Sequence, residues 1–222
     1  MDVIKNNQVG GFPGVDDSAV MAFQAALDSP KDVTLYMDGA TYYGFVVSGE
    51  WNYRGFPLQQ GGYFAIKGGP EVSLNGVGRL IVFLSFSDGM TVLGEAIETS
   101  GRLQYIDGCT DSLLIAPLKF GEPCLNVLYF PKDTNQSFHT HPSLRFGCVA
   151  SGSGVACIGN VLLPLEVGDA FHLPAGELHR FKTTDTEMVI IAYHPDSQYG
   201  PKDEDHPMII STQVQPLIAR AI

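Results

Sequence analysis

"PLEVGDAFHLPAGELH", Pro164 to His179, is matched without a gap by "PLQQGGYFAIKGGPEV", Pro57 to Val72, 107 residues upstream. Pro57/Pro164, Leu58/Leu165, Gly61/Gly168, Phe64/Phe171 and Gly69/Gly176 recur in place. Within each copy, short apolar stretches are cut by glycine and proline, as in strands joined by turns. A match at so long a period means that one β unit occurs twice, and overlooking it would misread the whole fold.

The match extends both ways. Downstream it continues at the same spacing, laying "RLIVFLSFSD" (Arg79 to Asp88) on "TEMVIIAYHP" (Thr186 to Pro195). Upstream, "VVSG" (Val46 to Gly49) corresponds to "VASG" (Val149 to Gly152), where the spacing falls to 103 because the hairpin is shorter in the first copy. In that register His139, His141 and Arg145 fall on Tyr36, Asp38 and Tyr42, and His179 falls on Val72. The first copy has lost the chemistry of the second.

Twenty-five glycines and fourteen prolines in 222 residues support an all-β reading throughout. One segment argues for helix: "DDSAVMAFQAALDSP", Asp16 to Pro30, offers an acidic cap, good helix formers and a proline stop, with Met21, Phe23 and Ala25 facing inward. The expected organisation is an N-terminal arm with this helix over 1–35, a degenerate unit over 36–100, an active unit over 101–195 and a polar tail over 196–222.

A formal charge of −11 repels phosphate backbones and argues against nucleic acid and anionic membranes as partners. Runs such as "LIVFL" (Leu80 to Leu84) are too short to span a bilayer as a helix, which takes about 20 apolar residues. The start, "MDVIKNNQVGG", lacks the pattern of a secretory signal, so a cytoplasmic location is expected. Cys109, Cys124, Cys148 and Cys157 form no CxxC and read as reduced, buried thiols.

The chemistry concentrates in "QSFHTHPSLRFG", Gln136 to Gly147. Side chains alternate along a strand, so His139 and His141 project to one side and can converge on one ion. Arg145 keeps that parity if the strand continues past Pro142, and therefore looks into the same cavity. A guanidinium cannot ligate a metal. Either it holds an anionic group of a substrate that also reaches the metal, or it pairs with a local acid such as Glu166, Asp169 or Glu177.

The second unit resembles the cupin superfamily, whose motifs read G(x)5HxH(x)3-4E(x)6G and G(x)5PxG(x)2H(x)3N. "HTHPSLRFG" matches the first, with Arg145 (Phe146 under the longer spacing) where the family has glutamate. "GDAFHLPAGELHRFK" matches the second through Gly168, Pro174, Gly176 and His179. With the degenerate first copy the chain looks like a bicupin, which implies double-stranded β-helix (jelly-roll) barrels and often a homodimer.

The resemblance also implies that His139, His141 and His179 share one metal. Three neutral imidazoles suit a divalent first-row ion, with iron favoured over Mn, Ni, Zn or Cu, and leave positions open for water or substrate. Three-histidine cupin sites resemble those of iron dioxygenases, so the expected function is dioxygenation of a small anionic molecule. A metal-dependent isomerase or lyase of a small carboxylate or sugar is the alternative, and a non-catalytic ligand-binding protein the third reading.

Other candidates rank below these. His172 reads as a packing or hydrogen-bonding residue, with His194 and His206 lower still as ligands. Tyr129, Phe130 and Phe181 read as core with some lining duty. Cys148 and Cys157 read as inert, and Asp169 as the residue that fixes the turn after Gly168.

Overall fold

The structure is a computed structural model, and it describes residues 1–13 and 18–197. All its regular elements but one single-turn 3-10 segment are strands. They are β1 (Asp2–Ile4), β2 (Gly10–Pro13), β3 (Ala19–Ala25), β4 (Lys31–Leu35), β5 (Thr41–Tyr53), β6 (Phe56–Gln59), β7 (Tyr63–Lys67), β8 (Val72–Ser85) and β9 (Val92–Gly94). They continue as β10 (Leu103–Gln104), β11 (Thr110–Ile115), β12 (Cys124–Phe130), β13 (Arg145–Ile158), β14 (Val161–Glu166), β15 (Ala170–Leu173), β16 (His179–Lys182) and β17 (Met188–His194).

Two antiparallel sheets result. One runs β2-β3-β8-β5-β7-β9, with β4 on β8 and β6 on β5; the other runs β1-β15-β13-β17-β12-β11-β10, with β14 and β16 on β13. Each bends round an apolar interior of its own, and a third apolar layer lies between them.

Period-two alternation assigns each residue to one of these layers. On β17, Ile190 and Ala192 face their own barrel while Val189, Ile191 and Tyr193 face the other unit. On β8, Leu80, Val82 and Leu84 face inward, whereas Ile81 and Phe83 meet the second unit. Phe83 stacks on Tyr193 at 5.8 Å and on Phe146 at 6.4 Å. Such strands are apolar on both faces, which is why they read as continuous hydrophobic runs.

The helix expected from Asp16 is absent. Ala19–Ala25 is strand β3, hydrogen-bonded to β8 on one side and β2 on the other. Val20 and Ala22 are fully buried at a spacing of two. Helix propensity is a weak prior, and two long strand partners override it. The arm over 1–35 thus carries strands, with β1 in the second sheet and β2 to β4 in the first. The polar tail beyond Ser197 lies outside the described residues.

The duplication is visible in backbone detail. Val46 donates to Gly62 and accepts from Gly61, as Val149 donates to Asp169 and accepts from Gly168. Gly61 and Gly168 both have φ of +86°. Bulges fall between Val46 and Ser48 on β5 and between Val149 and Ser151 on β13.

One part of the sequence register needs correction. Val46 faces Leu80, and Val149 faces Ile190, so the last strands correspond at a spacing of 110, not 107. The continuous β8 is split in the second copy into β16 and β17, and the intervening turn holds the three extra residues. Likewise Leu35 faces Val72 as His139 faces His179, so His139 corresponds to Leu35 and not to Tyr36.

Candidate metal centre

The segment between β12 and β13 runs irregularly beside β16, held by hydrogen bonds at intervals. Gln136 N–H donates to Phe181 O at 3.1 Å, and Gly176 N–H donates to His141 O at 2.8 Å. Between them His139 and His179 exchange both backbone hydrogen bonds, at 2.9 and 3.0 Å. Directly opposed residues of an antiparallel pair carry their side chains on one face. The ring of His139 therefore stands 4.4 Å from that of His179, and His141, two residues on, lies 5.1 Å from each.

One ligand atom from each of the three histidines lies within 4.8 Å of those of the others, so the group could hold a metal ion. Two tautomers follow from the hydrogen bonds. His139 Nδ1 lies 2.9 Å from Ser137 O, and His179 Nδ1 lies 2.8 Å from Glu177 O. A carbonyl only accepts, so each Nδ1 carries the proton and each Nε2 keeps a lone pair. His179 Nε2 is buried with no partner in the protein. A metal would supply one.

Charge points the same way. Burial first, then the Arg145 cation and the neighbouring imidazoles, lower His141 to about 3. Burial also lowers His179 to about 4, against the Glu177 carbonyl, which raises it. Both rings are neutral at pH 7, the form that binds metals.

Phe130, Phe171, Leu173, Phe181, Ile190 and Ala192 form the apolar walls of the cavity beside the histidines. The cavity volume is about 50 Å³. Its polar lining, besides the three histidines, is Tyr105, Asp111, Gln136, Arg145 and His194.

Arg145 does face this cavity although the strand is interrupted at Pro142, because β13 begins at Arg145 with the required parity. Its Nη1 donates to Leu144 O at 2.8 Å and Ser143 O at 3.3 Å and lies 3.4 Å from Asp196 Oδ1. The acid paired with it is thus Asp196, and two of the three acids named from the sequence are engaged elsewhere. Glu177 pairs with the Met1 ammonium at 2.6 Å, and Asp169 pairs with Lys5 at 2.7 Å. Arg145 Nε remains buried and unpartnered.

His194 was underrated by the sequence. It continues the inward row Ile190, Ala192 and lines the cavity, and burial together with Arg145 pushes its pKa well below the usual histidine range. The signal was available as strand parity, but the 107-residue register inverts it. Asp111 was not singled out at all, since a lone aspartate near a Gly-Cys turn carries no motif. His172 faces away from the cavity, 3.5 Å from Asp2 and against the Phe146 ring. His206 lies outside the described residues.

Of the remaining candidates, Phe130 and Phe181 line the cavity, whereas Tyr129 faces the layer between units and donates its hydroxyl to Glu98 O. All four cysteines are free and buried. Asp169 accepts from Glu166 N–H at 3.0 Å and Asn6 N–H at 2.9 Å, fixing its turn as expected.

Residues 126–194 match the family described as "Cupin domain". That stretch of the chain, in the second unit, is a cupin domain. The two β-sheet bodies are consistent with a bicupin-like arrangement. Solved structures with this fold include a putative glyoxylate-induced protein from Pseudomonas aeruginosa, 16% identical, covering 90% of each chain with a TM-score of 0.60. Another is a cupin 2 conserved barrel domain protein from Leptotrichia buccalis, 16% identical, covering 86% of this chain and 90% of that one at 0.54. Salicylate 1,2-dioxygenase from Pseudoaminobacter salicylatoxidans is 8% identical, with 80% and 67% coverage at 0.55. No curated protein matches. At these identities the likeness speaks for the fold alone.

In the first unit, Leu35, Val72, Tyr42 and Leu84 occupy the places of His139, His179, Arg145 and His194. Among the described residues the only group fit to hold a metal is that of the second unit.

Proposed function

We propose that the second unit is a metal-dependent enzyme, an iron dioxygenase acting on a small anionic molecule. The observation that carries this is the set of three imidazoles, two with Nδ1–H fixed by carbonyls, converging beside the largely buried Arg145. Iron held by His139, His141 and His179 would supply open positions for substrate and oxygen together.

The chain's own residues bind, orient and shield. Arg145 neutralises an anionic group and offers its free Nε–H to it, which also offsets the cost of placing a dication near a guanidinium. The aromatic and aliphatic walls keep bulk water from the reacting atoms. Size limits the substrate: a cavity of about 150 Å³ takes benzene, and this one measures about 50 Å³. A volume of this size favours molecules of a few heavy atoms.

A second reading, isomerisation or elimination at the same metal, is favoured by His194 and Asp111, two titratable groups in the cavity wall. The experiment is metal analysis of untagged protein, followed by oxygen consumption with Fe(II) and a panel of small thiols, diketones and carboxylates. Substrate-dependent oxygen uptake supports dioxygenation. Product without oxygen transfers the assignment to the second reading, and tight retention without turnover leaves a binding protein.

A further inference from the structure

A second polar pole lies in the cavity wall. Asp111 on β11 faces Leu128 on β12, and Leu128 faces Ile190 on β17; all three side chains line the cavity, so Asp111 belongs to the inward row. Its rotamer is set by a relay outside the cavity. Cys124 Sγ donates to Asn126 Oδ1 at 3.2 Å, and Asn126 Nδ2 donates to Asp111 Oδ2 at 2.8 Å. Oδ2 is thereby occupied. Oδ1 is shut off from solvent and has no partner in the protein. An unmet buried carboxylate oxygen costs more than an ordinary hydrogen bond contributes, so a ligand donor is strongly favoured there.

We infer that Asp111 is a specificity residue and that the substrate class is small carboxylic acids bearing an amino or hydroxyl group, the carboxylate held by Arg145 and the donor by Asp111 Oδ1. This deepens the reading above and rests on its anion site. Two partly buried groups of opposite charge in one small chamber recognise a ligand with both an acceptor and a donor, and they reject its unsubstituted analogue because the buried Oδ1 would stay unpaired. Burial raises the Asp111 pKa, against the Asn126 amide that lowers it. An ammonium close by would favour the ionised form.

The test uses acetate, glycolate and glycine, small enough for the chamber, titrated calorimetrically into the full chain both metal-free and Zn(II)-loaded. Metal-free protein removes chelation as a source of preference. Glycine and glycolate are expected to bind at least about tenfold more tightly than acetate. Asp111→Asn preserves the acceptor facing Asn126 and places an amide N–H2 where Oδ1 was, so glycine should lose about tenfold and acetate should not change. Arg145→Gln should weaken all three ligands alike.

If none of the three binds, the anion site fails and this inference with it. Should they bind in an Arg145-dependent way but with acetate equal to glycine, or with the ratio unmoved in Asp111→Asn, Asp111 Oδ1 merely holds a water and this inference alone is overturned. If Asp111→Asn does not fold, the acetate-to-glycine ratio in metal-free wild-type protein decides.

Discussion

A histidine whose Nδ1–H is taken by a carbonyl has one lone pair left to offer. His139 and His179 are in that state, and they face each other as a hydrogen-bonded backbone pair. Replacing either by alanine should therefore reduce bound metal at least tenfold by elemental analysis, whereas His194→Ala should leave metal content intact. Retained metal in both ligand variants would mean that the ion sits elsewhere.

Acid should act through the same rings. In the unfolded chain histidine titrates near 6.5, while the folded protein holds His179 to about 4 and His141 to about 3. As pH falls below about 6.5 the unfolded state gains protons that the folded state refuses, so stability of the metal-free protein declines and the loss levels off near pH 3. Urea midpoints at pH 7, 5.5 and 4 should fall in that order, and His141→Gln should flatten the trend. A midpoint constant across this window would contradict the burial of neutral rings.

The ligands were legible because HxH spacing and the Pro-x-Gly-x-x-His turn report chemistry directly. Asp111 and His194 were not legible. Their role depends on which way a strand faces, and residues three positions out of register face oppositely.

At the scale of elements, the bulges on β5 and β13 decide where each barrel turns. Gly49 and Gly152 sit there with φ of +79° and +70°. A Cβ on Gly152 would lie 1.8 Å from Glu187 O, and one on Gly49 would lie 2.2 Å from Val77 O. Neither backbone oxygen can move without breaking a ladder. Gly49→Ala and Gly152→Ala should each cost at least about 2 kcal/mol, lowering Tm by roughly 2–4 °C per kcal/mol. A thermal melt matching wild type would show that the bulge tolerates a side chain. The paired glycines were readable as a repeat, whereas the strand at Ala19–Ala25 was not. Its alanines and acidic lead suit a helix, and only β2 and β8, remote in sequence, make it a ribbon.

At the scale of the molecule, the two units share a layer of Tyr43, Phe83, Phe146, Ile191 and Tyr193 that neither covers alone. Arg79 fastens it at one edge. It is almost fully buried, and it donates to Gly168 O at 3.0 and 3.2 Å and to Lys5 O at 3.1 Å. Residues 101–222 expressed alone should expose that layer, bind a hydrophobic dye and aggregate, and a monodisperse soluble product would contradict the shared core. In the intact chain one metal per polypeptide is expected, because apolar side chains fill the ligand positions of the first unit. Duplication was legible at this scale, since an apolar register survives where ligands do not.

Strand β1 pairs with β15 through Asp2 and His172, so its partner is made roughly 170 residues later. At about 5–20 residues per second of translation, that interval lasts on the order of 10–30 s. The first sheet can close early on the ribosome, while the opening strand waits unpaired for its docking edge. Final closure of the second barrel is thus a late, nascent-chain event. A stall introduced before residue 170 should leave β1 open to protease while the first unit already resists it.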